Sequence, residues 1–241
     1  MTFPKNITPS PLKEAAVEIR FDSSLPADAV FGVVYSSLME TYTGVENLPI
    51  LQLPETIRNR DENLIFQPHH KLKREKFVAQ IGPRVFSLSM IPPLTSWSEF
   101  LPELVTVFDK IGKARFISNV TRLGLRYINH FEGAILGKLN LELSIMGNSI
   151  EEGELYIRNT FPHGDFSVLL QIVNFTELRE KIGNDVKKYS AIDTDVSVSG
   201  NNLDFFSNIE SLLNNAHMVQ KETFFGLLKD DFLQTMKPEY Q

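Results

Sequence analysis

The 241-residue chain contains no cysteine. Disulfide scaffolds, thiolate zinc sites, iron–sulfur clusters and cysteine nucleophiles are thereby excluded. A basic excess is also missing: 24 Lys and Arg face 30 Asp and Glu, a formal charge of −6. Nucleic-acid binding relies on cationic surface that releases counterions from phosphates, so this balance argues against such a partner. No run reaches the roughly 18 consecutive apolar residues that a membrane helix needs. Met1–Pro11 is polar, holds three prolines and lacks the apolar stretch of a signal peptide. A soluble, cytoplasmic protein without membrane association is the expectation.

Catalytic signatures are absent as well. There is no Gly-x-Ser-x-Gly elbow, phosphate loop or dinucleotide fingerprint. The five histidines, His69, His70, His130, His163 and His217, include no helical i, i+4 pair and no His-x-His. His69 and His70 would face opposite sides of a strand, which is poor for joint chelation. No cofactor and no metal site is expected.

What the chain has is apolar mass. Hydrophobic residues make up 42% of it and include 18 Phe, enough to offset the entropy of ordering a substantial core. Glu14–Phe21 alternates apolar and polar, the period of a half-buried strand. A helix over 24–42 follows, capped by Ser23 or Ser24 with Pro26 in its first turn. Residues 43–62 read as a loop with at most one short extended piece. Asn63–Gln67 and Phe77–Met90 read as strands about a charged turn, Lys71–Lys76. Ser96 and Glu99 have capping-box spacing at the head of a helix over 96–111, with Gly112 as a left-handed stop.

Further strands are predicted at Thr121–Asn129, Lys138–Ile145 and Ser190–Val198. Glu154–Thr160 and Phe166–Phe175 form a hairpin about Pro162-His163-Gly164. Short and long helices are predicted at Glu177–Ile182 and 203–226, and a last helical piece over 227–236 follows a bend at Gly226. Strands outnumber crossover helices. The expected fold is therefore α+β: a mainly antiparallel sheet, or two related sheets, packed by three longer helices. Residues 1–241 read as a single unit with a soft boundary near 113–118.

Three segments carry a resemblance: Pro11-Leu-Lys-Glu-Ala-Ala-Val-Glu-Ile-Arg-Phe21, Arg122-Leu-Gly-Leu-Arg-Tyr-Ile-Asn129, and the helix bearing Ala216-His217 and Phe224. Together they resemble a sporadically distributed family of uncharacterised bacterial proteins, over almost the whole chain. The resemblance implies a bacterial, cytosolic origin and one architecture; it supplies no activity.

The polar strand faces hold the candidate site. Glu14, Glu18 and Arg20 share one face, as do Arg122 and Arg126, and Asp193 and Asp195. Arginine's planar fork suits carboxylate or phosphate, so Arg20, Arg122 and Arg126, with His217 nearby on its helix, are the candidate ligand donors. The plain alternative is a structural salt-bridge lattice. The favoured function is non-enzymatic binding of a small anionic molecule or a bacterial partner protein. The alternative is a metal-dependent hydrolase or nuclease using Asp193 and Asp195 with Arg126 and His217 converging on them. A homo-oligomeric regulator is a third option. Adjacent acids such as Glu151/Glu152 read as solvated turns.

Overall fold

A computed structural model of the chain describes residues 3–58, 61–92, 96–150, 153–179 and 186–240. Its first elements are β1 (Leu12–Ser23), α1 (Ala27–Leu38), β2 (Thr43–Asn47), α2 (Glu55–Arg58), β3 (His70–Arg74), β4 (Phe77–Gly82) and β5 (Val85–Met90). Then come α3 (Trp97–Lys113), β6 (Ile117–Glu132), β7 (Ser144–Ile145), β8 (Asn148–Ser149), β9 (Leu155–His163) and β10 (Phe166–Arg179). β11 (Val186–Leu203), α4 (Ile209–Leu227) and α5 (Asp230–Thr235) complete the chain. The fold is α+β, with a large antiparallel sheet in the order β2-β3-β4-β5-β1-β6-β11-β10-β9 and a separate β7-β8 hairpin.

Backbone proximity groups the chain into two units. A central unit comprises Glu14–Leu125 and Ser197–Ala216; a terminal unit comprises Met1–Lys13, Arg126–Val196 and His217–Gln241. The 113–118 stretch lies inside the central unit.

In the central unit β1 buries Ala15, Val17, Ile19 and Phe21, as its alternation predicts. Val17 and Ile19 stand opposite Leu88 and Phe86 of β5. Phe100, Leu104, Phe108 and Ile111 form the buried stripe of α3. Phe108 meets Phe86 and Phe205 edge-on, at centroid distances of 5.6 and 5.1 Å, the arrangement that ring quadrupoles prefer.

Several local expectations are corrected here. Ser96 and Glu99 do not form a capping box: the Ser96 hydroxyl pairs with that of Ser98, and Glu99 accepts from Lys76 Nζ at 3.0 Å. Gly112 lies inside α3, where a Cβ would sit 2.7 Å from the Phe206 ring; the positive φ falls at Arg115 instead. Helix α1 starts after Pro26 without a side-chain cap, and Ser23 Oγ instead accepts from Leu25 N–H. Asn63–Gln67 is turn, since the Asp61 carbonyl accepts from Leu64 and Ile65 and its carboxylate from Asn63. Most of the expected 71–76 turn is strand β3, held by buried Leu72 and by Lys71 and Lys73 reaching Glu46.

The terminal unit has its own core of Phe131, Ile135, Leu136, Leu139, Ile172, Ile192, Phe224, Leu228, Leu233 and Met236. Of Lys138–Ile145 only Ser144–Ile145, the short β7, is strand. Leu139 is fully buried, and Leu141 and Leu143 pack on the same cluster, but the partner is the α4–α5 connection: Asn140 N–H donates to Leu227 O and Lys229 N–H to Lys138 O. From Leu139 to Leu143 the alternation thus records burial, while the hydrogen bonds go elsewhere; Ile145 is exposed. Glu177–Arg179 belongs to β10, and the rest of the predicted 177–182 helix lies outside the described residues. The segment 203–208 precedes α4, with Leu203 ending β11. The hairpin is present, closed by Gly164-Asp165 with Gly164 at φ +59°, as a type II′ turn requires.

One side chain secures the irregular stretch after β6. Asn174, 1% exposed, accepts from the amides of Ile135 and Leu136 at 2.8 and 3.2 Å and donates to Gly153 O at 2.6 Å. Asn174→Ala would strand two buried amides and a carbonyl. We expect it to lower unfolding free energy by about 3 kcal/mol, seen as a reduced urea midpoint at unchanged slope.

Candidate functional site

Arg126 leaves β6 toward the polar face of the terminal unit. Its Nε donates to Asp193 Oδ1 at 2.8 Å and its Nη2 to Asp193 Oδ2 at 2.5 Å, a bidentate fork. Gln171 Nε2 also donates to Asp193 Oδ2, at 3.2 Å, and Tyr156 O–H donates to Gln171 Oε1 at 2.6 Å. The chain Arg126–Asp193–Gln171–Tyr156 crosses β6, β11, β10 and β9 in their sheet order. The Asp193 side chain is only 15% exposed, whereas that of Arg126 is 50% exposed. The carboxylate is consumed as an anchor, and the guanidinium is held at the surface. Asp195 shares this face by alternation and is half-buried.

The opposite face carries different chemistry. Tyr127 follows Arg126 and therefore points to α4, where its O–H donates to His217 Nδ1 at 2.9 Å. Thr194, next to Asp193, bonds Gln220 of α4 through its hydroxyl, and Gln220 Nε2 donates to Thr194 O at 2.8 Å. Burial pushes the Tyr127 phenol up, so it keeps its proton and donates. Burial, helped by nearby Lys221, holds the His217 imidazole down at about 4. At neutral pH His217 is uncharged, with Nδ1 accepting. His217 therefore does not converge with Arg126 and Asp193 as the sequence suggests; one residue of pleat places its partner on the other side.

Neither a protein-family model nor a curated protein matches this chain.

Arg20 and Arg122 belong to the central unit. Both reach Glu18 Oε1, Arg20 through Nε at 2.9 Å and Arg122 through Nη1 at 3.3 Å. The Arg20 guanidinium also lies 4.7 Å from the Phe66 ring centre. Arg122 folds back over Gly124, in the space a Cβ would fill. His69 and His70 diverge as expected: His69 is buried beside the Arg58 guanidinium, and His70 stacks on Phe31 at 3.8 Å.

Among the described residues, no three His, Asp or Glu side chains gather as metal ligands, and no helix is long and apolar enough to cross a membrane. Glu151 and Glu152 lie outside the described residues. Sequence reasoning missed Gln171, Tyr156 and Gln220. The alternation of β10 put Gln171 on the polar face, and that signal was available; the Gln220–Thr194 contact depends on how α4 packs and has no local signature.

The depressed His217 value fixes a direction. Below 6.5 the unfolded chain takes up a proton that the native imidazole refuses until about 4, so stability is full above pH 6.5 and falls as pH drops toward 4. In His217→Gln, which keeps an acceptor for Tyr127, we expect a shallower loss across this window, by on the order of 2 kcal/mol at its acid end. Chemical denaturation at stepped pH measures it. His69, also held at about 4, and His70 and His130, both lowered by burial, add slope of the same sign, as does Glu46, lowered by Lys71 and Lys73, at the acid end.

Proposed function

We propose that this is a non-enzymatic binding protein that holds a small carboxylate- or phosphate-bearing molecule on the polar face of the terminal unit. Arg126 is the principal donor, and Asp193, Gln171 and Tyr156 position it. One observation carries the reading: a half-exposed guanidinium is fixed by a nearly buried carboxylate that is itself hydrogen-bonded. Such a donor loses little freedom on meeting an anion, and preorganisation of this kind raises affinity. In the central unit, Arg20 and Arg122 on Glu18 offer a second pair of oriented guanidiniums.

The hydrolase alternative has less support. Arg126 and Gln171 engage both oxygens of Asp193, a poor starting point for binding a divalent cation. From the resemblance carried by the strand motifs we further propose a bacterial, cytoplasmic setting.

Calorimetric titration with inorganic phosphate and a panel of di- and tricarboxylates tests the proposal, alongside native mass spectrometry of protein isolated from its own host. Arg126→Ala is expected to weaken binding at least about tenfold, the worth of a charge-assisted hydrogen bond, and Asp193→Asn less. Identical isotherms for Arg126→Ala and the parent, or hydrolysis of a substrate that depends on Asp193, would overturn it.

A further inference from the structure

The two ends of the large sheet are built differently. β2, at one end, has five residues, Gly44 at φ +70° and a register shift between Thr43 and Glu46. Short, bulged edges resist pairing with other chains. β9, at the other end, has nine residues in unbroken register with β10, from Leu155↔Asn174 to Phe166↔His163. Among the described residues nothing pairs with its outer edge.

The directions of the β9 amides follow from the hairpin. A two-residue loop makes His163↔Phe166 a hydrogen-bonded pair, so Phe161, Asn159, Ile157 and Leu155 also bond β10. Pro162, which has no N–H, falls on the alternate set, as it must. The backbone groups of Tyr156, Arg158 and Thr160 thus point outward.

We infer that β9 is a homodimer interface, in which two copies pair antiparallel about a two-fold axis at Tyr156. Antiparallel pairing of outward groups permits a two-fold axis at an outward residue (156, 158 or 160) or at the residue between two of them (157 or 159). An axis at Ile157 sets Arg158 opposite Tyr156 and Glu154 opposite Thr160, with no ion pair, and one at Asn159 places Pro162 opposite Tyr156, where a donor is required. An axis at Arg158 sets two guanidiniums face to face. An axis at Thr160 places Pro162 opposite Arg158, where a donor is required. The axis at Tyr156 sets Arg158 opposite Glu154 of the second copy, twice, on the polar face. On the other face it sets Leu155 opposite Ile157 of the second copy, also twice. Both are half-buried residues that already pack on the terminal-unit core. Glu154 and Arg158 are exposed, and among the described residues neither has an ion pair. Charge and apolar patterns therefore match in one register. The inference is independent of the anion-binding reading.

The absence of cysteine makes the test clean. Cα atoms facing across a hydrogen-bonded pair are about 5.5 Å apart, within disulfide reach. Tyr156→Cys is expected to form a covalent dimer under mild oxidation. Thr160→Cys, whose two copies would lie about 27 Å apart, is not. By sedimentation equilibrium the unmodified chain dimerises with a dissociation constant below about 100 µM. Arg158→Glu weakens this at least tenfold, and Glu154→Arg combined with Arg158→Glu restores it. The restoration separates a lost interface from a lost fold. A monomer at that concentration, an unchanged dissociation constant in Arg158→Glu, or equal cross-linking at positions 156 and 160 would each overturn the inference.

Discussion

In an extended chain successive side chains leave opposite faces, so Arg126 and Tyr127 cannot serve the same side of the sheet. The same holds for Asp193 and Thr194, and for Gln171 and Ile172. This constraint sorts the terminal unit into two chemically distinct layers. While the Glu222 carboxylate of α4 meets His163 where its side chain is 38% exposed, the buried polar contacts between the sheet and α4 are neutral: a protonated phenol, an uncharged imidazole, a hydroxyl and an amide. Ionised groups there would lose hydration with no full compensation. On the other face the half-exposed Arg126 forms an ion pair with Asp193. The proposed binding site lies on the outer layer, while the inner one packs against α4.

Where regular hydrogen bonding lapses, single polar side chains replace it. Asn174 serves the turn after β6, and Asn140 donates to the carbonyls of Gly226 and Leu228 between α4 and α5. In the central unit Glu103 does similar work. It accepts from the buried Tyr42 hydroxyl at 2.6 Å and from Arg74 at 2.9 Å, tying the segment between α1 and β2, and strand β3, to α3. Burial and the Glu103 hydrogen bond raise the Tyr42 value, so this phenol also remains a donor.

The strands were the legible part of this sequence. β1, β6 and the β9–β10 hairpin declare themselves through period-two alternation, because each buries one face against helices. Lys138–Ile145 has the same alternation yet is strand only at Ser144–Ile145, since burial periodicity does not specify which backbone will receive the hydrogen bonds. Gly112 misled in the same way: a glycine at a helix end signals a stop, but here it makes room for Phe206, which is distant in sequence. The Arg126–Asp193 fork was half legible. Both residues stood on polar faces, but that β6 and β11 are neighbours is a property of the sheet order alone.

Gly124 illustrates how a residue without a side chain can belong to a charged cluster. The Arg122 guanidinium occupies the volume its Cβ would claim, and the far end of a flexible side chain moves aside at little cost. A larger residue there would leave the fold standing while lifting Arg122 away from Glu18. In a random-mutagenesis screen, position 124 would then score with the arginines rather than with the core, although the residue itself is buried.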